Sequence, residues 1–192
     1  MNTRLAQLIS TIFGPVASLT AVGIIAVLRS VHTIEGLVMQ TVFVFGAIAL
    51  TTIARWVLLK RGFIKDWDIR DRSRRPPLLT ALFLIIGVYT YVFHTLLAPQ
   101  VLELFFLFLL WLIGFLLITT QWKISGHTGG SALAIGLIII WYGNALWPLA
   151  VITGLVAWSR IVLKHHTFQQ VVAGVLYSMG ILLVFTSYLQ VP

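Results

Sequence analysis

Apolar residues run through this chain in long blocks separated by short polar stretches. A membrane-spanning helix takes about 20 mostly apolar residues, and seven blocks fit or come close. They cover Leu5–Leu28, Glu35–Leu59, Pro77–Leu97, Val101–Thr120, Thr128–Tyr142, Leu146–Leu163 and Thr167–Leu189. The fifth and sixth are short and meet at the turn pair Gly143-Asn144. The third and fourth meet at Ala98-Pro99, where proline cannot continue a helix. Gly14-Pro15 interrupts the first block, but no small-residue cleavage site follows, so it reads as a helix and not as a leader. The expected fold class is all-α: a polytopic transmembrane helix bundle of six to seven spanning helices. It is expected to form a single membrane-embedded domain over residues 1–192.

Composition agrees with that pattern. Of 192 residues, 59% are hydrophobic and only 9% charged, whereas a soluble domain runs near a quarter charged. There are 15 Gly, 6 Pro and no Cys, which excludes fibrous and disulfide-stapled classes and any thiolate chemistry. The net charge of +8, from 13 Lys+Arg against 5 Asp+Glu, implies contact with lipid head groups or an anionic substrate. Nucleic acid is not an expected partner, because the basic residues sit in short loops between apolar spans.

Alternating the spans makes the loops lopsided. One face, A, carries the N-terminus and the loops 60–76, 121–127 and 160–166; the other, B, carries 29–33, the Pro99 turn, the Gly143 turn and the C-terminus. Twelve of the 13 basic residues fall on or near A, and only Arg29 on B. His127, His165 and His166 also fall on A, and His94 near B. Retention of Lys and Arg on the cytoplasmic side argues for an expected cytoplasmic face A. Setting aside Arg72, Arg75 and Arg160 as candidate ligands still leaves nine on A against one on B.

Three patches on face A carry the candidate chemistry: Lys65 to Pro76, Lys123 to Thr128, and Ser159-Arg160 with His166 to Gln170. Taken singly, each has a structural explanation. A basic loop is a topology signal, Ser125 is a helix cap, and Arg160 and Lys164 snorkel from a helix end. Together they suit phosphoryl transfer, in which arginines and lysines neutralise the equatorial oxygens of the group in flight. Gly126 admits close backbone approach, and the amides opening the fifth helix would aim at an anion. Two histidines could divide the roles of nucleophile and general acid. His166 and Gln170 stand i, i+4 if the seventh helix starts there, which would let Gln170 orient the imidazole, with His165 turned about 100° away.

In their order these patches resemble the type 2 phosphatidic acid phosphatase superfamily of membrane lipid phosphatases, whose motifs read K-x6-RP, PSGH and SR-x5-H-x3-D. Ser159-Arg160-x5-His166 matches the third and Ser125-Gly126-His127 the second. The resemblance spans about Lys65 to Leu189 and leaves the first two helices outside it. It implies His166 as the nucleophile forming a phosphohistidine and His127 as the acid protonating the leaving lipid oxygen. Phosphate oxygens would be held by Ser125, the Gly126 amide and Arg160, together with Lys65, Arg72 or Arg75 of the first motif. It also implies catalysis with no metal or other cofactor; no carboxylate side chain follows Glu103 to build an acidic cage.

The chain departs from the family pattern in three places. Ile124 replaces the Pro of PSGH. The first motif is split, with Lys65-x6-Arg72 holding the spacing and Arg75-Pro76 the dipeptide. Gln170 stands where the family has Asp, and an amide supplies no charge to the imidazole. His166-Thr167-Phe168-Gln169-Gln170-Val171 nevertheless resembles dolichyl-diphosphatase-like members, which points to a polyprenyl diphosphate substrate. Two other readings compete. A UbiA-like prenyltransferase would use Asp66, Asp68 and Asp71 with magnesium, but the second acidic loop it needs is missing. A lipid-phosphate-binding or transport-like protein would keep the pocket without turnover. Trp122, Trp141, Tyr142, Trp147 and Trp158 read as interfacial anchors.

Overall fold

The computed structural model describes residues 2–65, 68–69 and 71–189, of Leu189 the backbone only. Among these residues the regular structure is entirely helical. The helices are α1 (Thr3–Ile12), α2 (Pro15–Ser30), α3 (Ile34–Lys60), α4 (Arg75–Phe93), α5 (Pro99–Gln121), α6 (Gly126–Tyr142), α7 (Ala150–Val162) and α8 (Phe168–Leu189). Short 3-10 turns precede α4, follow it, and precede α7. Six stretches are long and apolar enough to cross a membrane: Thr3–Ser30, Ile34–Lys60, Arg72–Leu96, Pro99–Gln121, Asn144–Val162 and Phe168–Tyr188. The seventh, α6, has 17 residues, or about 26 Å of helix. The protein is an all-α, polytopic integral membrane protein. Large apolar side chains such as Leu117, Leu176 and Leu183 stand exposed along the spans, as lipid-facing positions must, and in water they would be an aggregation hazard.

The helix ends follow local chemistry more than hydropathy. Asn2 caps α1 by accepting the Leu5 amide at 3.1 Å, and Thr33 caps α3 by accepting that of Gly36 at 3.2 Å. Glu35 lies in the first turn of α3 and Lys60 in its last, matching the signs of the helix dipole. Proline opens α2 and α5, where its missing N–H costs nothing. The first predicted block is two helices. Pro15 cannot donate to the turn before it, and α1 ends at Ile12.

The chain folds as two compact units. The first, Met1–Val22 with Ile124–Pro192, contains α1, α6, α7 and α8. In it α6 packs on α7 and α8, and α1 packs on α7. The N-terminal half of α6 is lined with buried small residues from Gly129 to Ala132, which lets helix backbones come close in lipid. Ser131 Oγ meets Thr153 Oγ1 of α7 at 3.2 Å, and Ser178 of α8 donates to the Gly129 carbonyl at 2.8 Å.

The second unit, Gly23–Lys123, holds α3, α4 and α5. Its core contains an aromatic cluster in which Phe43 stacks on Tyr89, with ring centroids 4.4 Å apart, and meets Phe93 and Phe105 edge-on. The buried Gln40 pins the α4–α5 turn: its Nε2 donates to the Leu96 carbonyl at 2.8 Å, and its Oε1 accepts the Ala98 amide at 3.2 Å. A buried amide satisfied at both ends fixes that turn without a desolvation penalty.

Candidate functional site

In the first unit, the end of α7 sets the geometry. The Lys164 amide donates to the Ile161 carbonyl at 2.9 Å, and the His165 amide to the Arg160 carbonyl at 3.0 Å. This pair is a Schellman cap, and it requires a left-handed residue at Lys164, where φ is +55°. A lysine holds the position a glycine usually takes, at a conformational cost of about 1–2 kcal/mol. The His166 amide also donates to the Arg160 carbonyl, at 3.3 Å. The backbone of Arg160 therefore anchors the segment that presents His166.

His166 is not helical, because α8 begins at Phe168; the i, i+4 argument on a shared helix face does not apply. The two residues meet by another route. Thr167 Oγ1 accepts the Gln170 amide at 3.4 Å, while Gln170 Oε1 accepts the Thr167 amide at 3.2 Å. This reciprocal pair is a capping box. The same Oε1 lies 3.2 Å from His166 Nδ1. A backbone N–H can only donate, so the Gln170 atom facing Thr167 is its oxygen, and the amide is not flipped. An oxygen of an amide can only accept, so Nδ1 carries a proton, and in the neutral imidazole the lone pair is then on Nε2. His165 is also buried in the turn, so its expected 100° offset on a helix is replaced by a position in the α7–α8 connection.

The second patch sits against this one. The Ser125 amide donates to the Gln170 carbonyl at 3.1 Å. A Cβ on Gly174 would fall 2.6 Å from the Ser125 carbonyl oxygen, so only glycine lets α8 pass this close. Ser125 is fully buried and caps α6: its Oγ accepts the Thr128 amide at 3.3 Å and the Thr128 hydroxyl. Gly126 and His127, half-buried, form the first residues of α6. Backbone bonds tie Ser125 to Gln170 and His166 to Arg160, and the Gln170 side-chain oxygen joins the two pairs into one cluster at His166 and Thr167.

Two further residues border the cluster, and the motifs do not include them. Arg160 is 2% exposed, and its Nη1 donates to Ser10 Oγ of α1 at 2.7 Å. A Cβ on Gly14, at the α1–α2 break, would lie 3.7 Å from His127 Cδ2. The first helix, which the resemblance leaves outside, belongs to the same unit as the cluster. All five acidic side chains lie between residues 35 and 103, outside this unit. The buried guanidinium of Arg160 therefore shares its unit with no acidic side chain.

The basic segment belongs to the second unit. Lys65 is exposed, and Arg72, also exposed, donates through Nη1 to the Gln121 carbonyl at the end of α5. Arg74 Nη1 donates to the carbonyls of Gly62 and Phe63, beyond α3, at 3.0 and 3.1 Å, and its Nε lies 3.6 Å from Asp71. Arg75 is buried and donates from Nε to the Ile69 carbonyl at 3.0 Å. Ile69 itself holds a φ of +37°, an outlying value for a β-branched residue. The Ser73 hydroxyl and amide, both bonded to Asp71 Oδ1, hold the Asp71 carboxyl below its ordinary value. Arg72, Arg74 and Arg75 thus each close a helix end or a loop. Asp66, Trp67 and Arg70 of the same patch lie outside the described residues. Among the described residues no group of three or more His, Cys, Asp or Glu is placed to hold a metal.

Compared with family models, curated proteins and solved structures, the chain matches none.

Proposed function

We propose that this protein is a membrane lipid phosphatase. It would hydrolyse a lipid phosphate monoester or diphosphate without a metal, through a phosphohistidine at His166. A polyprenyl diphosphate is the favoured substrate and a phosphatidate-type lipid the next. The observation that carries the reading is the Gln170 oxygen held by the Thr167 amide and facing His166 Nδ1, which leaves the lone pair on Nε2 as the nucleophile. Arg160, buried in a unit without acidic side chains, supplies charge for the phosphate. The motif resemblance to type 2 phosphatidic acid phosphatases points the same way.

In the proposed reaction, the Nε2 lone pair attacks phosphorus and the bond from phosphorus to the leaving oxygen breaks. His127 delivers a proton to that oxygen. Water then attacks the phosphohistidine and gives its proton back to His127, and inorganic phosphate leaves with His166 neutral again. Ser125, the Gly126 amide and Arg160 hold the equatorial oxygens, whose charge is the main burden of such a transfer. The lipid tail stays in the bilayer. We further propose that face A is cytoplasmic, in the cell membrane.

A non-catalytic lipid-phosphate binder is the second reading, and one observation favours it. Ser125 and Gln170 both perform helix-capping work, which alone would account for them. Phosphate release separates the two. In detergent with excess chelator, polyprenyl diphosphate, phosphatidate and phosphatidylglycerol phosphate are offered to the wild type and His166→Ala. Release by the wild type and its loss in His166→Ala, with the helical circular dichroism signal unchanged, is the expected result. Equal release by both proteins overturns the assignment of His166, and no release from any lipid overturns the phosphatase reading.

A further inference from the structure

We infer that Ser10, in the N-terminal helix, is a positioning residue that aims the Arg160 guanidinium at a bound phosphate; this rests on the phosphatase reading above. Ser10 and Arg160 are 150 residues apart in sequence, 3% and 2% exposed, and joined by a 2.7 Å bond from Nη1 to Oγ. The partner's chemistry is what matters. A carboxylate in that place would orient the guanidinium but also cancel its charge and compete with phosphate. A hydroxyl orients it and leaves the full positive charge for an anion. The unit holding both residues contains no acidic side chain, and the group that accepts from Nη1 is neutral.

The approach of α1 is itself built into the fold. The chain breaks at Gly14-Pro15, and a Cβ on Gly14 would fall 2.9 Å from the Ser10 carbonyl oxygen and 3.7 Å from His127 Cδ2. The tight joint lets α1 pack on α7 while its end borders the second motif. The helix α1 thus reaches Arg160, and the break that follows it borders His127, from the part of the chain that carries no motif.

The test is a double-mutant cycle on the full chain in detergent: wild type, Ser10→Ala, Arg160→Lys and the double variant, with Ser10→Thr as the restoring change. Two readouts are used. One is kcat and KM for phosphate release from farnesyl diphosphate; the other is the binding of inorganic phosphate, measured as protection against thermal unfolding. Ser10→Ala is expected to lower kcat/KM and phosphate affinity each by about tenfold, the worth of one hydrogen bond to a charged group. In the Arg160→Lys background Ser10→Ala should change neither. Ser10→Thr should restore both; if its extra methyl unfolds the chain, the cycle alone decides. Additive losses in the two backgrounds, or no loss on Ser10→Ala, overturn the inference. A wild type that binds phosphate but releases none refutes the phosphatase reading alone, and the binding cycle then judges Ser10. A wild type that does neither refutes both.

Discussion

Replacing Gln170 by leucine removes one oxygen that serves two donors, the Thr167 amide and His166 Nδ1. Each neutral bond is worth about 1 kcal/mol net, so Gln170→Leu should cost about 2 kcal/mol of stability. For a chain of this size that is a fall of roughly 4–8 °C in melting temperature. The kinetic loss should exceed what one bond would give. A single bond of that strength is worth about fivefold in rate, but the imidazole also loses the contact that fixes its tautomer. Forcing the wrong tautomer in a serine-protease triad costs about 10^4. Leucine leaves the tautomer unbiased and not wrong, so we expect a fall of about 10^2 in kcat, between those bounds, with KM little changed. Gln170→Glu keeps the length and the accepting oxygen and adds a charge at a helix N-terminus, where it is favoured. It should melt at or above the wild type. Its carboxylate raises the His166 pKa, and the nucleophile must be neutral, so the acid limb of the rate profile should move to higher pH. Gln170→Asp falls short by one methylene and should lie between the two. The assay is phosphate release against pH in chelator, well below each melting temperature. A melting loss in Gln170→Leu with kcat unchanged would refute the tautomer argument and leave Gln170 as a helix cap alone.

Lys164→Gly should raise the melting temperature by roughly 1–4 °C, since relief of the left-handed strain exceeds the added chain entropy by about 0.5–1 kcal/mol; Lys164→Val should lower it. Gly174→Ala should destabilise by about 1–3 kcal/mol, because its methyl meets the Ser125 carbonyl. The helical Gly154, with nothing within 4 Å of its Cβ, should gain about 0.5–1 kcal/mol on the same change; equal effects at both sites in a thermal melt would contradict the close approach of α6 and α8. With seven spans and face A cytoplasmic, alkaline phosphatase fused after Pro192 should be active, and a fluorescent cytoplasmic reporter there should instead be dark; the opposite pair of results reverses the orientation or removes one span.

The helices were legible in the sequence because apolar blocks and prolines mark them, and apart from the first block, which is two helices, the errors lie at their ends. The expected third helix begins at Pro77, yet α4 begins at Arg75, since Arg75 directs its Nε to the Ile69 carbonyl and can start a helix while buried. The fifth is expected from Thr128, yet α6 begins at Gly126, one residue after the Ser125 cap. Caps add polar residues that a hydropathy pattern discards. The capping box was in principle visible as Thr167-x-x-Gln170, a Thr followed three residues later by Gln. Two features had no such signal. Lys164 violates the glycine preference of its position, so nothing in its identity announces a left-handed turn. Ser10 is one hydroxyl in an amphipathic stretch, and its partner is 150 residues away; only packing can bring them together.

These particulars explain why short motifs with fixed spacing suit a site of this kind. Ser125-Gly126-His127 is a cap followed by the first two residues of a helix. Arg160 to His166 is the span of a Schellman turn and the one residue beyond it, and Thr167 to Gln170 is the box that opens the next helix. Each spacing is the spacing of a helix terminus. The reason is physical: a helix end is where backbone donors and acceptors go unmatched within the helix, and in a bilayer they must be met by side chains or by neighbouring backbone. Groups held there are rigid because leaving them unmet is expensive, and they sit at the edge of the span, where a phosphate can arrive from water while its tail remains in lipid. It follows that Ser125 and Gln170 serve the fold and the proposed chemistry at once. A loss of activity at either is therefore informative only beside a measured melting temperature. Ser10, which caps no helix, is the position where a loss of phosphate binding can be read with the least contribution from helix capping.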